Sequence, residues 1–145
     1  MPAIFRRYSV GSPDYESAWN LRKSVLLDPF SIDHELARRD DSSALHLGLF
    51  EESECLACLM LVPRAQGVAQ MRQVAVVPRL QRQQLGRLLT THAEELAREL
   101  GYEKIIAHAR QPALPFYLAL GYQAQGDAFD EVGIPHQMVA KSLLP

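Results

Sequence analysis

An amphipathic segment that directly follows a short apolar strand constrains the fold most strongly. From Leu85 to Leu100, leucine and alanine recur at steps of three and four residues, with polar side chains between them. This spacing predicts a helix with one buried face, and Gly101 supplies its C-terminal stop. The apolar run 74–77, ended by Pro78, predicts a strand that enters the loop before this helix. The segment therefore requires a sheet for the helix to pack against.

The rest of the chain alternates short strand and helix patterns, without repeats or linkers. Further strands are expected at residues 3–9, 44–50, 55–62, 67–77, 104–109, 122–125 and 137–141, and further helices at 13–27, within 31–41 and at 114–120. A hairpin followed by strand, helix, strand, helix and strand predicts an α/β fold with a mixed sheet. The length of 145 residues fits one domain, residues 1–145.

Bulk composition narrows the class of protein. The net charge of -2 gives no overall basic field for nucleic acid. No apolar run is long enough to span a membrane, and the first residues lack the apolar core of a signal peptide. Two cysteines, Cys55 and Cys58, form no disulfide framework and, as strand positions three apart, are expected on opposite faces, so no metal site is predicted. We expect a cytoplasmic protein.

The loop 79–86 before the long helix has the features of an anion site. The first amides of a helix lack internal partners and carry the positive end of the helix dipole. Arg79, Arg82 and Arg87 add cations there, and Gly86 allows close approach of a phosphate. The spacing is equally compatible with a solvated helix start that tolerates a glycine.

The same loop resembles a known family motif. Residues 76–86 follow the pattern V-x-P-x-x-Q-x-x-G-x-G, residues 116–122 resemble F-Y-x-x-x-G-F, and residues 131–136 read EVGIPH. In this order they are similar to the GNAT acetyltransferases, in particular the ElaA-like branch. The resemblance implies a mostly antiparallel sheet, splayed near the loop and flanked by helices. It also implies that acetyl-CoA is held by Val74, Ala75, Val76, Gln81, Arg82, Gln83, Gln84, Leu85, Gly86 and Arg87.

One position departs from the family pattern. Gln84 stands where the family usually has glycine. Its side chain could crowd the pyrophosphate or point outward to solvent. We expect acetyl-CoA still to bind, and to bind more tightly after Gln84→Gly.

The resemblance implies direct transfer of an acetyl group from acetyl-CoA to a primary amine. Tyr117 matches the tyrosine that reaches the CoA sulfur and is the expected acid. The base remains open between Glu131, His136 and His46, since residues 70–73 contain no carboxylate. His92 and His108 lie on apolar faces and are expected in the core.

The acceptor is expected to be a small-molecule or peptide amine; the regions 22–41 and 126–136 would form its walls. The acidic residues of these regions favour a cationic amine. They are Asp28, Asp33, Glu35, Asp40, Asp130 and Glu131.

A non-catalytic acyl-CoA-binding or sensing module is the alternative function. A nucleic-acid-binding domain is a weaker one, because no aromatic surface accompanies the arginines. Exposed sheet edges make a homodimer plausible.

Overall fold

A seven-stranded sheet forms the centre of the molecule. The computed structural model describes residues 3–145, so residues 1 and 2 of the predicted domain lie outside the described part. Among the described residues the strand order is β1-β2-β3-β4-β5-β7-β6. The strands are β1 (Ile4–Tyr8), β2 (Leu45–Glu51), β3 (Glu54–Pro63), β4 (Val68–Val76), β5 (Lys104–Arg110), β6 (Gln123–Glu131) and β7 (Ile134–Ser142). The helices are α1 (Pro13–Arg22), α2 (His34–Ala37), α3 (Leu85–Glu99) and α4 (Leu114–Ala119). Within residues 3–145 only the β4–β5 pair is parallel, which confirms the mixed, mostly antiparallel sheet.

The predicted amphipathic helix is α3, and it packs against one face of the sheet. Leu89, Ala93 and Ala97 are fully buried in the main hydrophobic cluster with strand residues such as Met71. Gly101 has a φ of +90° just beyond the helix end, a conformation that glycine adopts without strain. The periodicity predicted this helix correctly, but Leu88 and Leu100, which were expected on its buried face, are exposed. None of the helices in residues 3–145 has the length and apolar character needed to cross a bilayer.

The opposite face of the sheet is covered by α1. The Ser12 side chain accepts a hydrogen bond from the Tyr15 backbone N–H at 3.1 Å, with Pro13 as the first helical residue, so the predicted cap is confirmed. The helical segment continues to the predicted end, but its last part, Lys23–Leu27, is a π-helical turn. This turn precedes the three-residue 3₁₀ turn Asp28–Phe30.

The last two strands are longer than predicted. Residues 122–125 and 137–141 were expected, whereas β6 has nine residues and β7 also has nine. Most of β6 is exposed because β6 is an edge strand. It therefore lacks the alternating apolar pattern by which sequence analysis recognises a strand.

The two cysteines do not lie on opposite faces. In the β2–β3 ladder Phe50 pairs with Cys55 but Leu49 pairs with Ala57, so Leu56 is an extra residue in β3. This bulge reverses the alternation of side chains between Cys55 and Cys58. Both thiols are free and buried in one cluster, and the expectation of opposite faces was wrong.

The sheet splits between β4 and β5. Their parallel pairing ends at Met71 and Ala107, yet β4 continues to Val76 and β5 to Arg110. Gln73 has a φ of +53°, and the β3–β4 register shifts at this point, so a bulge turns β4 away from β5. The predicted splay is confirmed, and it opens the interior of the sheet to solvent.

Candidate functional site

The splay between β4 and β5 contains a cavity of about 530 Å³. The diverging ends of both strands line it, together with Gly86 of α3 and Tyr117 of α4. The segment after α1 and the end of β6 close its other sides. The cavity thus joins the predicted cofactor loop to the regions predicted to hold the acceptor.

The edge of β4 is open towards this cavity. Beyond Met71, within the described residues, β4 has no strand partner on its β5 side, so backbone N–H and C=O groups there are available to a ligand. Six of the ten residues predicted to bind acetyl-CoA line the cavity: Val74, Ala75, Val76, Gln81, Arg82 and Gly86. The other four, Gln83, Gln84, Leu85 and Arg87, belong to the same loop and helix start but do not line it.

The start of α3 is free of side-chain caps. Gln84 occupies the N-cap position in the left-handed conformation, with φ +69°, and makes no capping hydrogen bond. The amides of the first turn therefore lack an internal partner. A Cβ on Gly86 would lie 3.2 Å from the Phe116 ring. Glycine here thus lets α4 approach the first turn of α3, a packing role beside the predicted phosphate contact.

The predicted arginine cluster is smaller than expected. The Arg79 guanidinium donates two hydrogen bonds to the Glu54 carboxylate, at 2.8 and 3.0 Å. The bonds and charge of Arg79 hold the pKa of Glu54 below its usual value. Arg79 therefore faces the β2–β3 hairpin, and the cluster prediction was wrong for this residue. Arg82 lines the cavity, and Arg87 is exposed on α3.

Tyr117 is buried at the base of the cavity. Its ring packs against Phe116 and Tyr122, with ring centres 5.1 and 5.5 Å apart. Burial raises the pKa of its phenol well above the usual value, so the hydroxyl stays protonated at neutral pH. No side-chain hydrogen bond among residues 3–145 involves this hydroxyl, and it is not one of their fully enclosed unpaired polar atoms. The phenol is available as a donor to a ligand.

Glu131 lies between two histidines at the cavity wall. Its carboxylate is 3.4 Å from Nδ1 of His108 and 3.6 Å from Nε2 of His136. Nδ1 of His136 is 2.7 Å from the Ile134 carbonyl oxygen, which can only accept a hydrogen bond. Nδ1 of His136 therefore carries a proton, and in the neutral ring Nε2 carries the lone pair that faces Glu131. Two of the three predicted base candidates thus occupy one cluster.

His46, the third base candidate, lies elsewhere. Its Nε2 atom is 2.8 Å from the Asp41 carbonyl oxygen, and its ring packs between Tyr8 and Tyr15. It lines a separate surface depression, not the cavity in the splay. Burial, followed by the nearby Arg22 charge, lowers the pKa of His46 against the opposing effect of Asp41. The geometry makes His46 a structural residue.

Comparison with known proteins agrees with this geometry. Residues 8–122 match the Acetyltransferase (GNAT) family. The chain belongs to the GNAT family. The Bacillus subtilis protein YyaT is 29% identical over 75 residues, a match that covers 52% of this chain and 51% of YyaT. The matched segment thus spans about half the length of that relative.

Solved structures share the GNAT fold over nearly the whole chain. An N-acetyltransferase candidate from Lactobacillus plantarum has a TM-score of 0.88 at 24% identity and covers 99% of this chain and 100% of its own. Escherichia coli ElaA, which gives its name to the predicted branch, has a TM-score of 0.83 at 16% identity and coverages of 96% and 99%. A GNAT acetyltransferase from Elizabethkingia anophelis with acetyl-CoA bound has a TM-score of 0.79 at 16% identity and coverages of 97% and 98%.

Sequence analysis did not assign four of the ionisable residues that line the cavity of this GNAT chain. His108 was expected in the core, but it is about one-third exposed and contacts Glu131. His92, the other histidine expected in the core, does not line the cavity and stacks on Phe5 with ring centres 4.5 Å apart. The cavity is also lined by three unpredicted arginines, Arg39, Arg72 and Arg110. His108 and Arg110 could have been found, because alternate residues of a strand share a face. Nothing in the local pattern marks Arg39 or Arg72.

Proposed function

We propose that this GNAT protein transfers the acetyl group of acetyl-CoA directly to a primary amine. The observation that carries the proposal is one cavity that joins the open edge of β4, the Tyr117 phenol and the Glu131 cluster. Membership of the GNAT family supports acyl-CoA chemistry. The relative from Elizabethkingia anophelis, with acetyl-CoA bound, supports acetyl-CoA as the donor. We further propose that residues 1–145 act as one catalytic domain.

The residues present fit acetyl-CoA. The uncapped amides of α3 and the Arg82 cation suit a pyrophosphate, because a helix N-terminus favours anions. The open backbone edge of β4, at residues 72–76, suits the amide groups of the pantetheine arm, which can bond as a strand would. The same backbone groups would orient the thioester carbonyl and stabilise the negative charge that develops on its oxygen.

The Glu131 cluster is proposed to supply the base. An ammonium substrate must lose a proton before its nitrogen can attack the thioester carbon. Glu131 or His136 would accept that proton, directly or through a water molecule. The fixed tautomer of His136 leaves Nε2 as its acceptor, and His108 holds Glu131 from the other side. The C–N bond then forms as the C–S bond breaks.

Tyr117 is proposed to protonate the leaving group. The departing thiolate takes a proton from the phenol, which burial keeps in its neutral form. Solvent or the base then restores that proton. The acetylated nitrogen gives up its second proton to the base or to solvent, so an ammonium substrate and acetyl-CoA yield the N-acetylated amine, free CoA and one proton.

The test measures free CoA release from acetyl-CoA with a panel of amines. Tyr117→Phe should lower kcat by about 10²-fold, the usual effect of losing a general acid. Its affinity for acetyl-CoA in a calorimetric titration should change little. Tyr122→Phe is the matched control, because this buried phenol bonds to Glu94 at 2.8 Å and does not line the cavity. Glu131→Gln should lower kcat.

Two results would count against the proposal. If acetyl-CoA binds but no amine releases CoA, the protein is a non-catalytic acyl-CoA-binding module. If Tyr117→Phe and Tyr122→Phe have equal turnover, Tyr117 is a packing residue.

A further inference from the structure

Most of the carboxylates expected to recognise a cationic acceptor form other interactions, outside the cavity. Asp28 pairs with His34 at 2.8 Å, and Asp33 caps α2. Glu35 pairs with Arg38, and Asp130 accepts from the Gly133 backbone N–H. Neither these four nor Asp40 lines the cavity. Of the six acidic residues that favoured a cationic amine, only Glu131 faces the ligand space.

Asp40 is surrounded by an excess of positive charge. Its carboxylate lies 2.9 Å from Arg64, 2.7 Å from Arg72 and 4.0 Å from Arg39. Burial disfavours the charged carboxylate, but the bonds and charges of Arg64 and Arg72 outweigh this effect and lower the pKa of Asp40. One negative charge thus faces three guanidinium groups, and two of them, Arg39 and Arg72, line the cavity.

The excess of positive charge affects Arg72. Its side chain is 14% exposed. Burial, followed by repulsion from Arg39, lowers the pKa of Arg72, although Asp40 and Glu131 act in the opposite direction. An anion placed beside Arg39 and Arg72 would relieve this repulsion. A cation placed there would increase it.

Apart from Glu131, the remaining charged residues that line the cavity are also arginines. Arg110 lines it, half-buried, with its guanidinium bonded to the Leu26 carbonyl oxygen at 2.9 Å and stacked 4.7 Å from the Phe30 ring centre. Glu131 is the only carboxylate among the lining residues of the described chain, against four arginines. The wall beside the arginines is apolar and comes from α2 and the turns before it: Leu26, Leu27, Ile32 and Leu36.

We propose that the acceptor amine carries an anionic group held by Arg39 and Arg72, and that it is an α-amino acid with an apolar side chain. This inference rests on the proposed acetyl transfer, since it names the acceptor class for the same site. A carboxylate suits paired guanidinium groups, and the apolar wall suits an aliphatic side chain. The amine would face Glu131, the one residue in the cavity whose charge attracts an ammonium group.

The test compares amines that carry an anionic group with amines that lack one. Leucine, leucine methyl ester, isoamylamine and spermidine are assayed as acceptors in the free-CoA assay, with O-phosphoethanolamine added as the arm for a phosphate-bearing amine. We expect leucine to have the highest kcat/KM, by at least about tenfold over the ester and isoamylamine, which lack the carboxylate charge. Spermidine or isoamylamine equal to leucine would overturn the inference while leaving acetyl transfer intact. A preference for O-phosphoethanolamine would replace the carboxylate by a phosphate and overturn the amino-acid assignment.

Arg39→Gln tests the assigned contact. It should lower kcat/KM for leucine by about tenfold and leave that for isoamylamine nearly unchanged. Arg38→Gln is the matched control, since it removes a neighbouring, similarly exposed arginine that does not line the cavity. Equal losses for both acceptors, or equal losses in both variants, would reject the assignment.

A binding measurement separates this inference from the proposed function. Leucine and isoamylamine are titrated calorimetrically into the protein saturated with CoA. Tighter binding of leucine, weakened by Arg39→Gln, supports the acceptor class even if no amine is acetylated. Binding of neither, or of isoamylamine more tightly, contradicts it.

Discussion

Replacing Arg22 by methionine should remove much of the stability of this protein. The Arg22 guanidinium is 2% exposed and its partner Asp41 7% exposed. Two hydrogen bonds join them at 2.9 and 3.0 Å, and Nε of Arg22 donates to Gln73 at 2.6 Å. Tyr15 donates to the same carboxylate. The pair therefore connects α1, the segment after α2 and the bulge of β4.

The expected loss follows from the charge that remains. Methionine roughly fills the space of the arginine stem but leaves Asp41 buried without a cation. Removal of one partner from such a pair costs about 3–5 kcal/mol, a large share of the roughly 5–15 kcal/mol by which domains are stable. Asp41→Asn should also destabilise. The double variant should lose less than the sum of the single losses, with a coupling of about 1–3 kcal/mol.

Urea unfolding followed by circular dichroism measures these free energies. Fluorescence of Trp19, the only tryptophan of the chain, is a poor probe, because Arg22 stacks 4.8 Å from its ring centre. Arg79→Met is the control, since it removes an arginine with the same two-bond geometry from an exposed pair. It should leave the unfolding midpoint almost unchanged. An Arg22→Met loss below about 1 kcal/mol, or additive single losses, would refute the reasoning.

Three further predictions follow from single residues. Because burial lowers the pKa of His46 from 6.5, the unfolded chain binds this proton more readily; stability should fall as pH drops below about 6.5, and His46→Gln should flatten that dependence in urea titrations at pH 5 to 8. Gln84→Gly removes the side chain that we expect to crowd the pyrophosphate, at a residue whose φ of +69° glycine adopts without strain. Acetyl-CoA should therefore bind more tightly in a calorimetric titration, and no binding to either form would refute the assigned loop. A Cβ on Gly48 would lie 2.8 Å from the Phe50 ring and 2.9 Å from the Ala57 carbonyl oxygen. Gly48→Ala should therefore lower the unfolding free energy by about 1–3 kcal/mol, and an unchanged melting temperature would contradict this.

The strand, loop and helix proposed to hold the cofactor were predictable because their signals are local. The stripe of α3, the strand before it and the glycine after it follow from short-range periodicity and backbone preference. The same segment contains the backbone amides that suit an anion, so one short stretch of sequence predicts both the helix and a candidate anion site at its start. Gln84 was correctly recognised as unusual, and its left-handed conformation explains why glycine is common at such a position.

The acceptor side was not predictable in this way. Its charges depend on which residues pair across the fold. Asp40 neutralises part of an arginine cluster that comes from the segments after α2 and β3 and from β4, and Arg79 pairs with Glu54 away from the cavity. Counting acidic residues in the wall segments therefore did not predict the charge of the cavity lining, in which four arginines accompany one carboxylate. Single-residue bulges were also not predictable from the sequence, since an extra residue in one strand is visible only against its partner strand.

The amino-acid sequence specified the elements of this GNAT chain, their order and the glycine-containing start of α3, because these depend on residues within a few positions of one another. The cavity needed the three-dimensional arrangement. It exists because β4 leaves β5 after Met71, and that divergence brings Tyr117, Glu131 and the arginines to one space from distant parts of the chain. Which side chains face a ligand, and with what net charge, is a property of these long-range contacts.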